Sequence, residues 1–222
     1  MSAVRDQPTY YPSSTSSHSY LQAYNNVRLA SGTGAGNGPM VSIHDGFSGA
    51  TNWAGFLPGA DRLALDVHPY LAFGTQTSSP MSALVTDPCT SWGPMMNQSM
   101  SAFGLTAAGE FSNAINDCGL YVNGVGLGTR YEGNYSGGPW PKVGDCSPWL
   151  DYTTWGQPLV DSTKQFALAS MDALQVSLFF SIHHERDVNH HALCRTGFSG
   201  PGKSETRQMA PSMLLPGPIN WV

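Results

Sequence analysis

Three short apolar runs, each closing on polar groups, constrain this chain more than any other feature. They are "MVSIHDGF" (40–47), closing on His44 and Asp45; "RLALDVHPYLAF" (62–73), with His68 and Tyr70 behind its aliphatic stretch; and "LTAAGEFSNAIND" (105–117), a small-residue run with Glu110 at its end. Short aliphatic and β-branched runs bounded by turn residues read as buried strands. Alternation of such runs with helical patterns argues for consecutive parallel strands in an α/β fold. Polar groups gathered at strand C-termini are the pattern of an α/β barrel, whose active groups sit at that rim.

The helical patterns lie between and around these runs. The opening twenty residues are polar and read as a loop, with a domain boundary near residue 19. "SYLQAYNNVRLASG" then spaces Leu21, Tyr24, Val27 and Leu29 as a helix would and stops at Gly32. A further helix is expected within 79–103, and "STKQFALASMDALQ" (162–175) is amphipathic. "NGVGLGTRYEGNYSGGPW" (123–140) is a Gly-rich loop without the GxxxxGK[ST] pattern of a phosphate cradle. After Gln175 the strand-helix rhythm stops.

Composition removes several classes of function. Charged residues are 11% of the chain and the formal net charge is −5, with no Lys/Arg cluster, so nucleic acid is not an expected partner. No apolar run reaches the roughly 18 residues that span a bilayer, and the start has no apolar signal-peptide core. Cys89, Cys118, Cys146 and Cys194 are too far apart for paired CxxC zinc spacing, and Asn97 and Asn134 begin glycosylation sequons. Those features lean towards an oxidising compartment. The segment "SIHHERDVNHHALC" (181–194) concentrates histidines, but HExxH fails because Val188 stands four residues after His184, so no metal site is expected.

Read together, "VSIHDGF", "DVHPYLAF", "GEFSNAINDCGLYVNGVGLGTRYEG" and "VGDC" resemble, in order and spacing, the fungal exo-β-1,3-glucanases (glucan 1,3-β-glucosidases) of glycoside hydrolase family 5. The resemblance covers roughly residues 20–175. It implies a secreted, cofactor-free (β/α)8 TIM-barrel enzyme, extracellular or in the cell wall and expected as a monomer, that releases glucose from β-1,3-glucan with retention of configuration. Such chemistry needs two carboxyl groups about 5 Å apart, one nucleophile and one acid/base. By resemblance Glu110 is the nucleophile, and His68 and Tyr70 form the pair that supports it, the tyrosine hydrogen-bonding the nucleophile. Trp53 and Phe73 are expected as an aromatic platform for sugar, while Phe56 is expected in the core. For His44 and Asp45, substrate contact and structural hydrogen bonding stand equally. Cys118 and Cys146 match a disulfide that anchors the Gly-rich loop. Cys89 also has a counterpart, with its partner expected outside this chain.

Departures from the family pattern are equally specific. The acid/base Asn-Glu-Pro motif occurs nowhere in the chain, nor do the early-strand Arg and His residues or the final "WFFWTWK" strand. The chain is therefore expected to hold about strands five to seven of a partial barrel, with an irregular C-terminal tail, and to be inactive as written. Residues 176–222 carry the marks of intron read-through: Val176-Ser177 can be encoded by a splice-donor consensus and Cys194-Arg195 by an acceptor. Shifted in frame, with only synonymous third bases chosen, the tail from Arg195 can be rewritten as "DWFFWTWKIGNSANGTVHAPAWSYQLG", which resembles the missing strand. A noncatalytic β-glucan-binding or regulatory protein is the alternative expectation.

Overall fold

The computed structural model describes residues 14–175 and Cys194. The proposed out-of-frame tail and the histidine cluster, Cys194 excepted, lie outside the described residues. Helix α1 (Ser14–Ser31) is followed by strand β1 (Val41–His44), a 3-10 turn (Ala50–Trp53) and strand β2 (Leu63–Val67). Helices α2 (Met81–Leu84) and α3 (Gly93–Ala102) flank a π-helical turn (Pro88–Trp92) and lead into strand β3 (Thr106–Ala108). Two short 3-10 turns and helix α4 (Gln157–Ala173) complete the described order. No helix among the described residues is long and apolar enough to cross a membrane.

The three strands form one parallel sheet in the order β1-β2-β3. This is an α/β arrangement of consecutive parallel strands. Central β2 is buried at Leu63, Ala64, Leu65 and Val67, as a parallel strand covered on both faces should be. Leu65, Met96, Phe166 and Trp53 are among the most deeply buried side chains, and full burial of an apolar side chain of this size contributes roughly 1.5–3 kcal/mol. Helix α4 brings Phe166 edge-on to Trp92 at 5.8 Å. Ser99 of α3 and Thr106 of β3 share a buried hydroxyl hydrogen bond of 2.7 Å, which satisfies two polar groups that burial would otherwise penalise.

Helix α1 begins at Ser14, inside the stretch read from sequence as loop. Its polar first turns carry no apolar periodicity, so their helicity was invisible to a pattern search. At the other end Arg28 is buried, and its guanidinium donates to the carbonyls of Pro39, Asp61 and Arg62. That single side chain ties the end of α1 to the entries of β1 and β2.

Candidate active site

Parallel strands present all their C-termini at one edge. Register pairs His44 with Asp66, and Asp66 with Ala107, so residues at and just beyond these positions converge on that edge. There the Tyr70 hydroxyl donates a hydrogen bond to Glu110 Oε2. His68 Nδ1 lies 3.6 Å from the same oxygen, and His68 Nε2 lies 3.2 Å from Asp66 Oδ2. Asp66 Oδ1 accepts the Gly109 N–H at 2.7 Å. Glu110, His68 and Tyr70 thus form one cluster.

Burial raises the Tyr70 phenol well above its usual range, with the hydrogen bond to Glu110 and the charges of Glu110 and Asp66 adding to it. Tyr70 therefore stays a protonated donor. Glu110 remains more than half exposed, at 58%, so its carboxylate is open to a ligand while a phenol and an imidazole face it. The ring of His44 meets that of His68 edge-on at 4.4 Å, and Phe47 meets His44 at 4.8 Å.

Trp53, expected in the aromatic platform, is buried, and Asp45 follows the structural one of its two expected roles. Trp53 is 1% exposed and packs edge-on against Phe56, with its indole N–H donating to the Asp45 carbonyl at 2.9 Å. It is a core residue, because the turn at Ala50–Trp53 folds it under the sheet edge. Asp45 is also buried and accepts from the N–H groups of Phe47 and Gly49. Its carboxylate is spent on shaping the loop after β1. Phe73, by contrast, is exposed and touches Tyr70 edge-on at 5.2 Å. It lines an open cavity of about 450 Å³ together with Gln76, Arg130, Trp140 and Val143.

The Gly-rich loop is organised by a residue that sequence reasoning passed over. Asp117, fully buried, accepts from the N–H groups of Arg130 and Tyr131, from Arg130 Nε and from Asn123 Nδ2, at 2.8–3.1 Å. Burial opposes its ionisation, but these donors outweigh it and hold the carboxyl below its usual range. The adjacent Cys118 is bonded to Cys146. Arg130 then reaches the Phe73 carbonyl with Nη1 at 2.9 Å, which joins this loop to the cavity. Asp66 was also overlooked, although it stands two residues before His68 in the same polar end of the β2 run.

Cys89 is bonded to Cys194, so its partner lies within the chain rather than outside it. Asn97 is exposed on α3 and accepts from Gln175 Nε2 at 3.0 Å, while Ser99 of the same sequon is buried. Asn134 is exposed in the Gly-rich loop, where its Oδ1 accepts the Thr129 N–H at 2.7 Å. Among the described residues no group of three or more His, Cys, Asp or Glu is placed to hold a metal ion.

Fold and cluster together define an α/β protein with a carboxylate-centred polar site at the carboxyl edge of a parallel sheet. The chain is similar to fungal glucan 1,3-beta-glucosidases. It is 40% identical over 100 residues to the probable glucan 1,3-beta-glucosidase D of Aspergillus clavatus, covering 43% of this chain and 12% of that protein. The protein of the same name from Aspergillus fumigatus is 39% identical over 101 residues, with the same coverage. The glucan 1,3-beta-glucosidase of Lachancea kluyveri is 29% identical over 147 residues, covering 64% of this chain and 33% of that protein. The chain thus spans a third or less of the length of these relatives. No family model matches it.

Proposed function

We propose that this chain carries the nucleophile side of a retaining glycoside hydrolase site for β-1,3-glucan, built on about the fifth to seventh strands of a (β/α)8 barrel in residues 20–175. The observation that carries the reading is the open Glu110 carboxylate with the Tyr70 hydroxyl donated to it and His68 beside it. In this reading Glu110 attacks the anomeric carbon as the glycosidic bond breaks, giving a covalent glycosyl ester that water later hydrolyses. Tyr70 holds the attacking oxygen in place, Phe73 offers a sugar-facing ring, and His44 steadies His68. The enzyme type needs no cofactor, and its setting is the cell surface or wall, where the two disulfides persist.

A second carboxyl group is required to protonate the leaving oxygen. The neighbouring acid, Asp66, is held by Gly109 and His68, and the sequence contains no Asn-Glu-Pro. The 222-residue chain alone is therefore expected to leave laminarin intact. Nucleophilic attack without an acid is tested with 2,4-dinitrophenyl 2-deoxy-2-fluoro-β-glucoside, whose dinitrophenolate departs unprotonated. Mass spectrometry of digested protein should locate the fluoroglucosyl ester on Glu110, and Glu110→Gln should abolish it. Label elsewhere, or none, defeats the reading. The exposed rings of Phe73 and Trp140 around one cavity favour a second reading, a noncatalytic β-glucan binder. Retention on curdlan without any labelling of Glu110 would select it.

A further inference from the structure

We infer that Asp66 is a positioning residue for Glu110, acting through the backbone of Gly109 and through the ring of His68; this rests on the reading of Glu110 as nucleophile. Asp66 lies one residue before the end of central strand β2, where its register neighbour on β3 is Ala107. Its two carboxylate oxygens serve different partners. Oδ1 takes the Gly109 N–H at 2.7 Å, in the peptide next to Glu110, and Oδ2 takes His68 Nε2 at 3.2 Å.

The absence of a side chain at Gly109 lets the Asp66 carboxylate approach its backbone. A Cβ at position 109 would collide with the Asp66 carboxylate and force that side chain to shift. Strand β3 ends at Ala108, so among the described residues no ladder holds the chain beyond it, which carries Glu110. Asp66 supplies the missing attachment from the neighbouring strand. A carboxylate oxygen accepts, so Oδ2 selects the His68 tautomer that donates from Nε2, and the ring lies with Nδ1 towards Glu110 Oε2, 3.6 Å away. One side chain therefore sets both the backbone and one neighbour of the carboxylate. A displacement of about 1 Å at a reacting group can cost on the order of 100-fold in rate.

The experiment is the labelling rate of the full 222-residue chain by the dinitrophenyl fluoroglucoside, measured for wild type, Asp66→Ala and Asp66→Asn. Thermal unfolding of each variant establishes the temperature at which all are folded. Asp66→Ala should label about 10- to 100-fold more slowly. Asp66→Asn keeps an oxygen for the Gly109 N–H and should recover part of the rate. In ¹⁵N spectra the His68 ring of wild type should be protonated at Nε2, and that preference should be lost in Asp66→Ala. Equal labelling rates in wild type and Asp66→Ala overturn the inference while leaving Glu110 as nucleophile. Absence of label on wild-type Glu110 overturns the reading of Glu110 and the inference with it.

Discussion

Glu110 and Asp117 lie in the same stretch of sequence and meet opposite fates. Asp117 is sealed, and four N–H donors from Asn123, Arg130 and Tyr131 occupy its two oxygens. Glu110 is open, with one hydroxyl donor and one imidazole beside it. A buried carboxylate is tolerable only when its hydrogen-bonding capacity is filled, so Asp117 has no oxygen left for a ligand and serves the fold. Glu110 keeps unfilled capacity at the sheet edge, which suits an incoming reactant. The contrast teaches that the saturated carboxylate is the structural one.

The strongest way to break this contrast is Asp117→Ala. It leaves Arg130 Nε and the backbone N–H groups of Arg130 and Tyr131 without their acceptor and should cost on the order of 3–5 kcal/mol in denaturant unfolding. A variant as stable as wild type would show that Asp117 does not organise the loop. Replacing Cys118 and Cys146 together by Ser releases a loop spanning a sequence separation of 28 and should cost about 3–4 kcal/mol by chain entropy, read in the same assay.

Acid sharpens the comparison. The folded Asp117 carboxyl sits below its usual range, so the stability it adds is present above the unfolded carboxylate value and is lost as pH falls through the folded one. Stability measured against pH should therefore drop on acidification in wild type, with a shallower drop in Asp117→Asn. An identical pH profile would remove Asp117 from the account.

The smallest stability effects belong to the open site. Tyr70→Phe should cost roughly 0.5–1.5 kcal/mol and slow labelling of Glu110. Glu110→Gln should change stability by no more than about 0.5 kcal/mol, while removing the label altogether. If Glu110→Gln instead destabilised the protein as Asp117→Ala does, the two carboxylates would be alike and the site would lose its distinction.

The sequence by itself determined the local matters. The three short apolar runs became strands β1, β2 and β3, the helix expected at 162–175 formed over Gln157–Ala173, and the glutamate, histidine and tyrosine of the cluster each stand just past a strand. Side-chain type and period fix these, because they depend on neighbours in the chain. Tertiary structure alone decided what covers each rim residue. Trp53 and Asp45 look from sequence like Phe73 and Glu110, polar or aromatic groups near a strand end, yet the turn after β1 buries the first two and leaves the others open. Pairing of Cys89 with Cys194, at a sequence separation of 105, and the reach of Asp66 to Gly109 are likewise contacts between distant segments. Burial and pairing at long range are properties of the packed chain, and no local pattern encodes which segment will arrive.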